Sequence, residues 1–323
     1  MRHATGVAIG RLARVVAAAS ASMIVGAAIA APFAYVPNEG SGTVSIIDTT
    51  NDTLVGEIKA GGKPRGIAAL PDGSRLYVSD QPGNRLVVVD LATRREIGEV
   101  MLGTSPEGVY ASPDGKLVAV ASEEANQVSF IDPATNRELF SVKVRGKNPE
   151  HAVFSPDAGT VYASAEDDDT VEVIDVAARK QVARIKVGDR PRGIGFLPDG
   201  SRAYVAAENA NKVAVIDVRE RRVVAEIKAG TRANGIAIHP DGRKVYVSNG
   251  GDGTVSVIDP ATNAIVATVP VGRRPWNMAL TADGKKLYVA NGRSNSVSVI
   301  DTERNTKIAD VPVGELPWGV VTR

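Results

Sequence analysis

The sequence predicts an all-β fold: a closed seven-bladed β-propeller with four antiparallel strands per blade. Three observations predict it. An aspartate recurs at Asp48, Asp90, Asp132, Asp175, Asp217, Asp259 and Asp301, always 42 residues apart except for 43 between Asp132 and Asp175. Each unit contains four short apolar runs separated by turn residues, and a period of this size with four strands is the signature of a propeller blade. The first and last segments are complementary parts of one unit, so the ring can close on itself.

The unit from Arg232 to Gly272 shows the pattern most clearly. Its strands read GIAI, KVYVSN, TVSVID and AIVATVPVG. The joints are Pro240-Asp241-Gly242, Asn249-Gly250-Gly251 and Pro260-Ala261-Thr262-Asn263. Proline sets the φ of a turn's second residue, glycine accepts positive φ, and Asx side chains bond their own backbone, so each cluster stops a strand. Few aromatics (4%) and an apolar content of 43% suit small, closely packed sheets in one large domain.

Residues 1–30 read as a secretory signal. Arg2, Arg11 and Arg14 form a basic n-region, Val15 to Ala30 an Ala-rich apolar run too short for a comfortable span, and Ala28-Ile29-Ala30 a small-x-small cleavage pattern. Cleavage is expected after Ala30 or Ala31, leaving residues 31–323 as the propeller, soluble and without membrane association. Three of the 38 Lys and Arg lie in the leader, which leaves 35 against 37 Asp and Glu, a net charge near −2. Bulk charge therefore gives no general pull towards nucleic acid or acidic lipid. The absence of cysteine excludes disulfides, thiolate metal sites, covalent c-type haem and a lipoprotein anchor, so no cofactor is expected to be bound covalently.

Past the leader the chain begins in mid-blade. Phe33 to Val36 matches a second strand, Thr43 to Asp48 a third and Leu54 to Lys59 a fourth; the matching first strand is Pro317-Trp318-Gly319-Val320-Val321 at the other end. Pairing these segments closes the ring and hides both sheet edges. With first strands innermost, the Pro-Asp-Gly turns share one face with the turns that begin at the recurrent aspartate. The other face, around the channel mouth, carries the loops after the second strands and those entering the first.

Reading each position through all blades separates scaffold from candidate site. The aspartate column and the Pro-Asp-Gly turns are explained by turn chemistry alone, and His239 is read as a surface residue preceding one such turn. The inner strands bear no carboxylates and no histidine cluster, which argues against a metal-dependent hydrolase in the channel. The column after the proline at the mouth changes chemistry from blade to blade: Arg65, Glu107, Glu150, Arg192, Asn234, Trp276 and Trp318. A position fixed by scaffold yet chemically diverse is where a ligand-contacting ring would sit; a solvated rim is the competing account. His151 follows Glu150 where five blades carry glycine and is expected to face the same mouth. Charge on this face is segregated. Glu107, Glu123, Glu124, Glu150, Glu166 and Asp167 to Asp169 fall on two neighbouring blades, and Lys63, Arg65, Arg190, Arg192, Arg232, Arg273 and Arg274 on the others. The acidic loops are read as solvated surface. For Trp276 and Trp318, stacking on a flat anionic ring or nucleobase and packing over their own blades both stay open.

Tyr246-Val-Ser-Asn249 and Tyr288-Val-Ala-Asn291, each followed by Val-Ser-Val-Ile-Asp, resemble the YVTN family of bacterial β-propeller repeats over essentially the whole chain after the leader. Seven repeats, an export signal and the terminal Leu316-Pro-Trp-Gly-Val-Val-Thr-Arg323 look more closely like the propellers associated with PQQ-dependent alcohol catabolism. That resemblance implies a periplasmic, non-catalytic accessory role as a monomer, with PQQ or a periplasmic protein as the candidate occupant of the mouth. Related propellers that bind single-stranded DNA, and seven-bladed lactonases, supply the second and third alternatives.

Overall fold

The computed structural model describes residues 32–323 together with Met1 and His3; the signal read over residues 1–30 lies outside the described residues. Among the described residues, 28 strands form seven four-stranded antiparallel sheets. Blades 1 to 6 each run through consecutive strands: Pro64–Met101, Pro106–Lys143, Pro149–Lys186, Pro191–Lys228, Ala233–Pro270 and Pro275–Pro312. Blade 7 combines Phe33–Asn38, Thr43–Asp48 and Thr53–Lys59 with Val321–Thr322 from the far end of the sequence. The closed seven-bladed propeller expected from the repeat is the observed fold.

Burial explains the residue pattern strand by strand. Second and third strands are buried along nearly their whole length, as in Leu76–Asp80 and Leu86–Val89, because neighbouring blades cover both faces of each sheet. Such strands read as continuous Val, Ile and Leu rather than as an alternation. Outer strands face solvent and bury one deep anchor each, such as Ile58 and Val100. The core is divided among the seams between blades: Tyr35, Val44 and Ile46 of blade 7 interleave with Leu76, Val78 and Val87 of blade 1, and equivalent clusters recur around the ring. Each such side chain contributes about 2 kcal/mol by leaving water. The seams are also pinned by hydrogen bonds: Tyr77 Oη in blade 1 donates to Asn136 Oδ1 in the outer turn of blade 2 (2.7 Å).

The closing inner strand is shorter than expected. Val321 and Thr322 pair with Tyr35 and Ala34, Arg323 exchanges backbone hydrogen bonds with Phe33, and an isolated bridge joins Asn38 to Pro317. The gap over Trp318 to Val320 falls where the other inner strands carry an irregularity, described below. Arg323 compensates by donating from Nε to Leu70 O and from Nη2 to Ala69 O, both at 3.0 Å, which ties the closing strand to blade 1.

Candidate functional site at the channel mouth

Three backbone devices build the mouth. The first is a bulge. In blade 1, Pro64 pairs with Asp80 and Ile67 with Val78, three steps against two, and blades 2, 4, 5 and 6 do the same. An extra residue bends the strand and re-aims its side chain; here it lies in the pair formed by the residue after the proline and the one following it, so that each column residue turns into the channel mouth. The second device satisfies the amide that the bulge frees from the ladder. Gly66 N donates to Ser79 Oγ (2.8 Å), which donates to the Glu107 carbonyl of the next blade (2.7 Å), and Gly235, Ser248 and Trp276 repeat this at 2.8 and 2.7 Å. The serine of the Tyr-Val-Ser motif thus binds one bulge to the neighbouring mouth residue. Glycine is required at Gly66 because a Cβ would fall 2.1 Å from the Glu107 carbonyl oxygen.

The third device fixes the approach to the proline. Ser105, Asn148, Arg190, Arg274 and Leu316 precede it, and Arg232 precedes Ala233 in the same place, all with φ between 52° and 59°, a left-handed conformation costly for residues with a Cβ. Side-chain oxygens of Asn84, Asn126, Asn211 and Asn295 accept the amides of Ser105, Asn148, Arg232 and Leu316 at 2.8–3.1 Å. The asparagine ending the Tyr-Val-x-Asn motif acts one turn earlier: Asn249 and Asn291 accept from Gly230 and Gly272 at 3.0 and 3.1 Å. Motif residues that serve the scaffold therefore also hold the site's backbone.

All seven column residues line one cavity of about 210 Å³, joined by Glu39, Glu123, Arg190 and Arg274. Its lining carries four carboxylates and four guanidinium groups. On one flank Arg65 pairs with Glu107 and with Glu39 (3.1 Å), while Gln81 Nε2 donates to Glu107 Oε1 and Ser105 Oγ, both at 2.9 Å. On the other, Arg192 pairs with Glu150, Glu166 and Glu208, the last at 2.8 Å. Glu208 is the hub: Arg190 (3.4 Å), Arg232 (3.8 Å) and Arg274 (2.8 Å) also converge on it. Arg274 reaches Glu208 from two blades away, passing Gly250, where a Cβ would stand 3.0 Å from its Nη1.

Burial and pairing set the protonation states. Glu107, 1% exposed, is pushed up to about 8, chiefly by burial, with Arg65 opposing and Glu123 reinforcing the rise. Glu166 is raised by burial as well, against the pull of Arg190. Burial acts upward on Glu208 too, but Arg192 and Arg274 overcome it and hold this carboxyl below its ordinary value. His151 is buried and lowered to about 4 by desolvation, hence neutral near pH 7.

The structure corrects three expectations. The acidic loops are not simply solvated, since Glu107, Glu150 and Glu166 are buried and paired with arginine. His151 does not line the cavity; it lies beneath it, stacked on Trp318 (centroids 5.6 Å apart), with Nδ1 hydrogen-bonded to Tyr110 Oη at 2.6 Å. Its imidazole occupies the channel because it replaces the glycine that leaves that space open in other blades. His239 is half-buried, held by Asp241 (2.6 Å) and the Gly284 carbonyl (3.1 Å). The two tryptophans also divide: Trp318 packs across the channel on His151, whereas Trp276 rests over its own blade, on Gly292, with the Arg274 guanidinium 5.9 Å from its ring centroid.

Glu208, Glu39 and Gln81 were not singled out from sequence. Their signal is a second column, four residues beyond the second-strand tyrosine: Glu39, Gln81, Glu123, Glu166, Glu208, Gly250 and Gly292. Four members supply carboxylate oxygen to the network around the mouth, Gln81 donates its amide N–H to Glu107, and the two glycines make room for Arg274 and Trp276.

Residues 6–323 match the family described as YNCE-like beta-propeller. Among solved structures the chain is similar to a hydrazine synthase chain of Kuenenia stuttgartiensis, at 26% identity and a TM-score of 0.77 over 83% of this chain and 92% of that one. It is also similar to a functionally unknown protein of Desulfotomaculum acetoxidans, at 17% identity and a TM-score of 0.80 over 90% and 98%. A third, a candidate 6-phosphogluconolactonase of Bacteroides uniformis, shares 19% identity at a TM-score of 0.78 over 91% and 100%. The last two likenesses show the fold alone. No curated protein matches.

Proposed function

The chain belongs to the YNCE-like beta-propeller family, and we propose that it acts there as an exported, non-catalytic binding protein that takes a small polar ligand at the channel mouth. The supporting observation is the convergence of all seven variable column residues on one cavity of about 210 Å³. That volume is below the roughly 300 Å³ at which sites for drug-sized ligands begin. Three of the four lining carboxylates, Glu39, Glu107 and Glu150, are engaged by arginines, and the described residues hold no group of three or more Asp, Glu or His placed to ligate a metal ion. Likeness to hydrazine synthase or to a lactonase candidate transfers architecture and not chemistry. Export rests on the leader read over residues 1–30.

A role beside PQQ-dependent oxidation remains the setting that the resemblance implies, but the mouth does not fit PQQ as its ligand. A planar tricarboxylate would bring three negative charges against the four lining carboxylates. The phosphates of single-stranded DNA meet the same obstacle. Native mass spectrometry of protein released from the periplasm by osmotic shock tests the proposal. A small-molecule adduct is expected in the wild type and absent in Arg274→Gln, with no saturable change in Trp emission on adding PQQ or a short oligothymidylate. Saturable quenching by PQQ that disappears in Trp276→Phe would put the quinone in the mouth; a salt-sensitive response to the oligonucleotide would favour DNA.

A further inference from the structure

Charge around the cavity is balanced in number but not in place. Blades 7, 1 and 2 contribute Glu39, Glu107 and Glu123 against a single Arg65; blades 3, 4 and 6 contribute Arg190, Arg192 and Arg274 against a single lining carboxylate, Glu150. Behind the second flank, Glu166 and Glu208 moderate the positive side without lining the space. Both flanks also keep unused polar atoms. Glu107, 1% exposed, has no hydrogen-bond partner at Oε2 among the described residues, its neighbour Arg65 has none at Nε, and Arg274, three blades away around the ring, has none at Nη1. Buried polar atoms left unpaired are costly, and each calls for a partner such as a water, an ion or a ligand group. Glu123 adds a second acceptor beside Glu107, contacted only weakly by Ser105 Oγ at 3.3 Å.

Resting on the mouth as the ligand site, we infer that its ligand is a small amino-acid-type zwitterion, its ammonium group seated at Glu107 and Glu123 and its carboxylate at Arg274. A net anion gains from one flank and is opposed by the other, and a net cation likewise; only a molecule carrying both signs gains at both ends. The cavity, about 210 Å³, is below the roughly 300 Å³ of sites for drug-sized ligands, which suits a molecule of amino-acid size. Trp276, whose ring lies beside the Arg274 guanidinium, gives the site an intrinsic reporter. A second signature follows from the acidic flank. Glu107 shares its surroundings with Arg65, Glu39, Glu123, Arg192, Gln81 and Ser105 and is largely protonated near pH 7. An arriving ammonium group favours its ionised form, so binding should release a proton.

The test is a calorimetric and Trp-emission titration of the mature protein with glycine, β-alanine, γ-aminobutyrate and 5-aminopentanoate, a series of increasing charge separation. Butyrate and n-butylamine serve as single-charge controls. At least one zwitterion is expected to bind saturably, with both controls at least tenfold weaker. Titration in buffers of different ionisation enthalpy at pH 7 should show proton release that Glu107→Gln abolishes. Glu123→Gln, at a more exposed carboxylate, should weaken the zwitterion about tenfold while leaving the butyrate response unchanged, and thermal melts of both variants confirm folding. Equal binding of butyrate and the zwitterions overturns the inference but leaves a ligand site at the mouth. Silence of the whole series overturns it too, and a mass-spectrometric adduct lost in Arg274→Gln then separates a wrong ligand class from the absence of any ligand site.

Discussion

At the face away from the mouth, carboxylates work as turn fasteners. Each of Asp48, Asp90, Asp132, Asp175, Asp217, Asp259 and Asp301 accepts a backbone amide two or three residues ahead at 2.7–3.0 Å. The Pro-Asp-Gly aspartates and their variants do likewise, and Asp72, Asp114, Asp157, Asp199, Asp241 and Asp283 are all held below their ordinary values; for Asp72 the Ser74 amide is the leading cause. At the mouth the same functional group sits in the opposite state: Glu107 and Glu166 are buried and raised. One end of each blade thus uses carboxylates that fold wants ionised, and the other uses carboxylates that burial wants neutral unless arginine intervenes. Identical chemistry has been divided by depth, into structure at one face and a responsive site at the other.

The largest test of this contrast is Glu208→Ala. The substitution leaves Arg192 and Arg274, 13% and 12% exposed at their side chains, without their shared counter-charge. Removing one partner of a buried pair typically costs about 3–5 kcal/mol, so the urea midpoint should fall steeply. A loss below about 1 kcal/mol would mean that the mouth network is solvated in practice and no different from the turn face.

The pH dependence sharpens the contrast because the two faces carry opposite signs. A carboxyl raised on folding binds more protons in the native than in the unfolded state between its two pKa values. For Glu107 that window runs from about 4.5 to about 8, and stability falls as pH rises through it. For Asp241, lowered to about 2, the stabilisation is present above about 3.8 and is lost as pH falls towards 2. His151, lowered to about 4, also loses stability as pH falls, but only below about 6.5. The range from pH 6.5 to 8 therefore isolates the mouth carboxylates. Glu107→Gln should flatten the wild-type decline there by up to about 1.4 kcal/mol per pH unit, one proton's worth, read from urea midpoints at stepped pH. An unchanged slope would show that Glu107 is ionised in the folded protein.

What the sequence made legible follows the same division. The turn face is local: an aspartate bonding an amide two or three residues on is contained within one short motif, so Asp259-Pro-Ala-Thr-Asn can be read without knowing the fold. Blade number and ring closure were legible because repetition multiplies that local signal. The mouth column was also legible, since proline fixes the position of Arg65 or Trp276 while leaving its identity free. Its chemistry was not, because the partners come from other blades. Arg274 meets Glu208 from 66 residues away, past a glycine, and Trp318 meets His151 across the channel. Charge segregation along the sequence became pairing in space, and a glutamate in a polar loop gave no sign that it would be buried. The loop column from Glu39 to Gly292 carried that information only when read across blades.

The smallest expected effect lies on the turn face and fixes the baseline for the others. Asp259→Ala removes the acceptor for Ala261 N (2.8 Å) and for Thr262 Oγ1 (3.1 Å), at a half-exposed site where water can replace it. A net loss of about 1 kcal/mol is expected, that of a typical hydrogen bond, with no change in its pH profile between 6.5 and 8. Because repeat architectures sum blade terms with nearest-neighbour seams, the cost should stay within blade 5 and leave Trp emission at the mouth unaltered. If Asp259→Ala shifted that emission, or lowered stability as much as Glu208→Ala, the two ends of the blade would be coupled through the strands, and the separation of fastener from site would have to be abandoned.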